Sequence, residues 1–150
     1  YGAGGSNAIC ADVQHKFLRI GMRCQTYPDA HIMMMSASLL KKGDVVLVVT
    51  HSGRTSDIKS AVELAKKNGA KIICITHSYH SPIAKLADFI ICSPAPETPL
   101  LGRNASARIL QLTLLDAFFV SVAQLNIEHA NLNMQKTGAI VDFFSPGALK

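Results

Sequence analysis

Residues 45–57 read VVLVVTHSGRTSD, and the physical reading of this stretch decides the fold. Val45, Val46, Leu47, Val48 and Val49 form an uncharged, β-branched run of the kind found in strands buried on both faces of a parallel sheet. The turn that follows carries Thr50, Ser52, Thr55 and Ser56 around Gly53, and a helical pattern opens near Asp57. Hydroxyls donate to phosphate oxygens, a glycine lets backbone come close, and the N–H groups of a helix start face the same point. The stretch therefore predicts a strand, a phosphate cradle and a helix, in that order. The plainer alternative is that Ser and Thr only cap the helix.

A second stretch repeats the pattern. Tyr1 to Asn7, YGAGGSN, sets Gly2, Gly4 and Gly5 ahead of Ser6, and the following residues repeat Ile9, Val13, Phe17 and Ile20 at helical spacing. This predicts a strand end, a tight turn and a helix. In a parallel sheet two such turns open at the same carboxyl edge, so two cradles there point to one phosphorylated ligand. A glycine-rich turn also leaves a dinucleotide-binding fold open, although no acidic residue closes the next strand in the ribose-binding place, Asp29 coming only after Pro28.

Outward from these turns, Met22 to Tyr27 predicts a short strand and His31 to Leu40 a helix. Asp57 to Asn68 predicts an amphipathic helix closed by Gly69, Lys71 to Thr76 a buried strand, Ile83 to Ala87 a short helix and Asp88 to Cys92 a further strand. From Arg103 to Leu125 runs a helix apolar nearly all round, which needs cover on two sides and so predicts both a core and a subunit contact. Asn126 to Lys136 predicts a weaker helix stopped by Gly138, with a loosely held tail from Ala139. Strand and helix alternate five times with short connections. That is an α/β chain with a five-stranded parallel sheet covered by helices on both faces.

Composition narrows the class. At 150 residues and 49% hydrophobic, the chain is one globular domain. No apolar run reaches the length a bilayer demands, the best, Ile109 to Ala123, being broken by Gln111 and Asp116. Cys10, Cys24, Cys74 and Cys92 form no C-x-x-C pair, which predicts reduced thiols in a cytoplasmic protein. The formal charge of +5 suits an anionic ligand, but the lysines are scattered and form no nucleic-acid stripe. His77 and His80 have the spacing of a metal pair with no further ligand nearby, so no metal is expected. His31, opening a helix after a strand, is placed to reach a sugar hydroxyl or phosphate, or is simply solvated. A first residue of Tyr1 rather than methionine suggests a piece of something longer.

GAGGS at 2–6, the segments at 14–21 and 28–31, KKGDVVLVVTHSGRTSD at 41–57, AKKNGAKIICIT at 65–76, SPIAKLAD at 81–88 and ARILQLTLLDAFF at 107–119 together resemble the sugar isomerase (SIS) domain. The resemblance is closest to the SIS domain of RpiR-family bacterial transcription regulators and spans roughly residues 1–125. It implies a flavodoxin-like three-layer sandwich at 1–126 with 127–150 as its tail, a phosphosugar at the carboxyl edge of the sheet, a homodimer, and no cofactor. In such regulators a helix-turn-helix domain precedes the SIS domain, so operator DNA is contacted only through residues absent here. Carried over position by position, the family's phosphate contacts are Ser6, Thr50, Ser52 and Thr55, with the backbone of Gly4, Gly5 and His51. Thr50 stands where most members have serine. His31, Glu97 and Arg108 look like the residues that meet the sugar, across the dimer.

Three functions follow. In the first, a sugar phosphate such as N-acetylmannosamine 6-phosphate, 2-keto-3-deoxy-6-phosphogluconate or N-acetylmuramic acid 6-phosphate shifts a dimer between two arrangements, without catalysis. The second is an aldose–ketose phosphate isomerase, with Glu97 and His31 or His77 as proton carriers. The third is a dimerisation module with a vestigial pocket. The match to the regulator subfamily ranks the first above the others.

Overall fold

The computed structural model describes residues 1–94 and 105–144. In chain order these form α1 (Gly5–Arg19), α2 (Ala30–Leu39), β1 (Val45–Val49), α3 (Ser56–Lys67), β2 (Lys71–Thr76), a 3-10 turn at Ala84–Leu86, β3 (Phe89–Cys92), α4 (Ala105–Gln124) and α5 (Ile127–Phe143). The strands lie side by side in the order β1-β2-β3, all parallel, with Val45 opposite Lys71 and Ile73 opposite Phe89.

Alternation along the strands builds two cores. Val46, Val48, Ile72 and Cys74 face α2 and α3, where they meet Met33, Ala37, Ile58, Ala61 and Val62. Val49 and Ile75 face the other way, onto Ile9, Val13 and Phe17 of α1, Leu115 of α4 and Ala130 of α5. The result is the expected three-layer α/β/α arrangement. All four cysteines are free, and burial pushes the Cys74 thiol up to about 12, so it packs as an inert hydrophobe.

The sheet is narrower than predicted: three strands are present among the described residues, not five. Residues 22–27 form no strand. They stand away from β1 across a groove of about 670 Å³ lined by Phe17, Met22, Tyr27, Val45, Leu47 and Val49, a gap no backbone hydrogen bond spans. The Thr26 N–H turns instead to the Gln14 side chain at 3.1 Å. On the edge of β1 away from β2, Tyr1 lies along the strand: its amino nitrogen donates to the Leu47 carbonyl at 2.6 Å and its carbonyl accepts from the Val49 N–H at 2.9 Å. That is one rung of a parallel ladder.

Two further expectations change at the C-terminal end. Gly138 does not stop a helix; α5 continues through it to Phe143. Its cost within a helix, about 1 kcal/mol, is offset by anchors on α1: the Asn133 amide donates to the Ile20 carbonyl at 3.1 Å, and Ala130 is buried. Within α4, Ser106–Gln124 is long and apolar enough to span a membrane, contrary to the sequence expectation. One stripe of it, Ala107, Gln111 and Leu115, is buried in the fold, while Ile109 and Val120 are exposed.

The floor of β2 carries a pH-dependent clasp. Asp88 accepts from the Ile72 N–H at 2.9 Å and from Lys71 Nζ at 2.9 Å, and these hold its carboxyl below the usual carboxylate range. A lowered folded-state value means the contribution to stability is complete above the ordinary carboxylate pKa and is lost as pH falls through the lowered one. Asp88→Asn is therefore expected to melt below the parent at neutral pH, with the gap closing on acidification below roughly pH 4. Melting curves across that range check this, and a gap independent of pH would contradict it.

Candidate functional site

At the carboxyl edge of the sheet the chain leaves β1 at Thr50 and enters α3 through a turn locked from beneath. The Thr50 N–H donates to the Ile75 carbonyl at 3.0 Å, and its buried Oγ1 accepts from the Gly53 N–H at 3.2 Å, leaving the hydroxyl proton available to a ligand. The His51 carbonyl accepts from the His77 N–H and from Thr76 Oγ1, each at 3.2 Å. Gly53 has φ +63°, and a Cβ there would lie 2.0 Å from Ser81 Oγ and 2.4 Å from Ser81 Cβ. The glycine is required by its own backbone angle and by the buried serine below it.

The N-terminus of α1 arrives beside this turn. Gly4, the N-cap, adopts φ +55°, Gly5 and Ser6 form the first helical turn, and no acidic residue lies in it. Arg108 reaches over from α4: a Cβ on Gly5 would touch its guanidinium at 3.4 Å. Gly5, Ser6, Thr50, His51, Ser52, Thr55 and Arg108 thus line one cavity of about 170 Å³, together with Ala3, Ala107 and Gln111. His51 stacks on His77 with ring centres 5.1 Å apart and planes inclined by 26°.

The choice between a cradle and ordinary helix caps is now open to inspection. Asp29, the N-cap of α2, accepts from the Ile32 N–H at 2.9 Å. Neither Gly4 on α1 nor Thr55 on α3 makes a side-chain cap bond. Both helices therefore begin beside the hydroxyl-ringed cavity without a side-chain cap, their partial positive charge unopposed by one; in α1 the Ser6 and Asn7 N–H groups donate to the Ala3 and Gly4 carbonyls, each at 3.1 Å. Asp57 places an opposing charge in the first turn of α3, and its carboxylate accepts from Ser56 at 3.3 Å.

Of the residues chosen from sequence, Gly4 supports the turn without lining the cavity, and His31 is exposed in the first turn of α2, also outside the lining. Glu97 lies outside the described residues. Sequence reasoning missed Gln111. The signal was present: one amide interrupts the apolar face Ala107, Gln111, Leu115, a buried stripe at four-residue spacing.

Relatives fit this geometry. The SIS domain family model matches residues 1–121. The HTH-type transcriptional regulator RpiR of Escherichia coli K12 is 94% identical over 150 residues, all of this chain and 51% of that protein. Among solved structures, the Vibrio vulnificus NanR protein complexed with ManNAc-6P superposes with a TM-score of 0.87 at 27% identity, covering 97% of this chain and 56% of that one. The sugar isomerase domain of an RpiR transcription factor from Sphaerobacter thermophilus shares the fold, with a TM-score of 0.80 at 18% identity over 92% of this chain and 75% of that one. The chain spans about half the length of the curated relatives it matches. With a family match that takes in both turns lining the cavity, the whole sheet and most of α4, the chain belongs to the SIS domain family.

Proposed function

We propose that this chain is the effector-sensing, dimer-forming module of an RpiR-type transcriptional regulator, in which a sugar phosphate binds the cavity and biases the arrangement of two subunits. The observation that carries the reading is the convergence of two uncapped helix N-termini, four hydroxyls and Arg108 on one cavity. A volume of about 170 Å³ is below that of sites enclosing a whole drug-sized ligand. It suits a phosphate and the first atoms of the sugar, the remainder lying at the mouth under Arg108. The exposed apolar residues Ile109 and Val120 on α4, Leu125 in the turn after it and Ile140 on α5 supply a surface for a second copy. His31 and Glu97 are assigned to the sugar end of the ligand, across that dimer.

Sensing needs no turnover. The two subunit arrangements have only to differ in affinity for the ligand, by about 1–3 kcal/mol in typical couplings. N-acetylmannosamine 6-phosphate and 2-keto-3-deoxy-6-phosphogluconate are candidate effectors; DNA is reached through a separate helix-turn-helix domain, and the site of action is the cytoplasm. Calorimetric titration with a panel of phosphosugars and their unphosphorylated parents tests this. Heat is expected only with phosphorylated members, and NMR of the same mixtures is expected to show no aldose–ketose interconversion. Binding of unphosphorylated sugars with equal affinity, or turnover, would overturn the reading.

A further inference from the structure

Gln111 is 1% exposed, lies on the inner stripe of α4, and lines the same cavity as Ser6, Thr50, Ser52 and Thr55. Its Nε2 is buried with no hydrogen-bond partner among the described residues. A buried amide donor left unsatisfied is destabilising, and native proteins keep such groups where something else supplies the acceptor. The cavity it faces is also lined by Ser6, Thr50, Ser52 and Thr55, whose hydroxyls can donate, and lies beside the starts of α1 and α3. An oxygen-rich anion would satisfy all of these donors at once.

We propose that Gln111 is a ligand-binding residue, its carboxamide donating to an oxygen of the bound phosphorylated ligand from the α4 side. This rests on the reading of the cavity as the phosphate site and adds a third wall to it. Ser6 comes from α1 and the hydroxyls of residues 50–55 from the β1–α3 turn, while Gln111 supplies a neutral donor from the floor of α4, one helical turn beyond Arg108. Because Arg108 is exposed and Gln111 is buried, the two act at different depths, Arg108 at the mouth and Gln111 inside. The arrangement also accounts for an amide on a stripe that Ala107 and Leu115 otherwise keep apolar.

Two substitutions separate this role from a structural one. Gln111→Met keeps the shape of the side chain and removes the donor. In the ligand-free protein it is expected to melt no lower than the parent, because the amide nitrogen it removes has no partner there. Its affinity for a hexose 6-phosphate is expected to fall roughly ten- to hundredfold, the loss of one hydrogen bond to a charged acceptor. Gln111→Glu places a carboxylate against the anion; binding is expected to disappear at neutral pH and to return in part at acid pH, where the carboxyl is protonated and donates again.

The probes are inorganic phosphate and N-acetylmannosamine 6-phosphate, titrated calorimetrically into parent and variants. If both ligands weaken alike in Gln111→Met, the amide meets the phosphate; if only the sugar phosphate weakens, it meets a sugar oxygen. Either result supports the assignment. A parent that binds while Gln111→Met binds equally well would overturn the role of Gln111 and leave the cavity intact. A parent that binds neither probe would overturn both, and a lower ligand-free melting temperature for Gln111→Met with unchanged affinity would make Gln111 a packing residue.

Discussion

Gly53→Ala is expected to melt roughly 5–15 °C below the parent. The angle of +63° places an alanine in the left-handed region, and its Cβ would sit 2.0 Å from Ser81 Oγ and 2.4 Å from Ser81 Cβ. Left-handed strain costs about 1 kcal/mol and overpacking about 1–3 kcal/mol. A domain of this size loses about 2–4 °C for each kcal/mol. Ser81 has little room to retreat: it is buried, and its Oγ accepts from the Ala84 N–H at 3.3 Å. Thermal unfolding measures the effect. Adding Ser81→Gly to Gly53→Ala is expected to recover the part due to overlap but not the part due to the backbone angle. A melting temperature within a degree of the parent would mean that the turn is not fixed as described.

The second large effect concerns binding. Ser52→Ala and Ser6→Ala, one from each cradle, are each expected to weaken sugar phosphate binding by about 1–3 kcal/mol, the cost of removing a donor from a charged acceptor. Ser6 is in the first turn of α1 and Ser52 is in the β1–α3 turn, so nothing but a shared ligand links the two losses. If both grip one phosphate, the double variant is expected to depart from additivity, since residues meeting at a common partner are coupled. Unaltered affinity in either single variant would remove that residue from the cradle.

Much of this was legible in the residues themselves, for identifiable reasons. Val45 to Val49 is too β-branched and too apolar for any element but an internal strand, and Thr50, Ser52 and Thr55 behind it line the cavity at its carboxyl end. The reason for Gly53 was only half legible. A turn glycine was evident, but that Ser81 lies directly beneath it depends on how residues 77–84 fold back under the loop. Residues 22–27 misled because a short alternating run carries no information on whether a partner edge is within reach, and here a groove separates it from β1.

Gly138 misled in the opposite direction, because intrinsic helix propensity is overridden when tertiary contacts anchor the preceding turns, as Asn133 and Thr137 do on the carbonyls of Ile20 and Arg19. Gln111 is the most instructive omission. In sequence it reads as an interruption of an apolar helix; only the cavity gives the interruption a chemical meaning. His31 shows the limit of position along the chain, since opening a helix at the correct edge did not bring it to the cavity.

The most direct test is a crystal structure of the protein grown with a sugar phosphate that gives heat in solution. The phosphorus is expected between Ser6 and the turn from Thr50 to Thr55, within hydrogen-bond reach of hydroxyls from both. A phosphate seated anywhere else, or held by one of the two turns alone, would contradict the central claim that separate segments of the chain converge on a single anion.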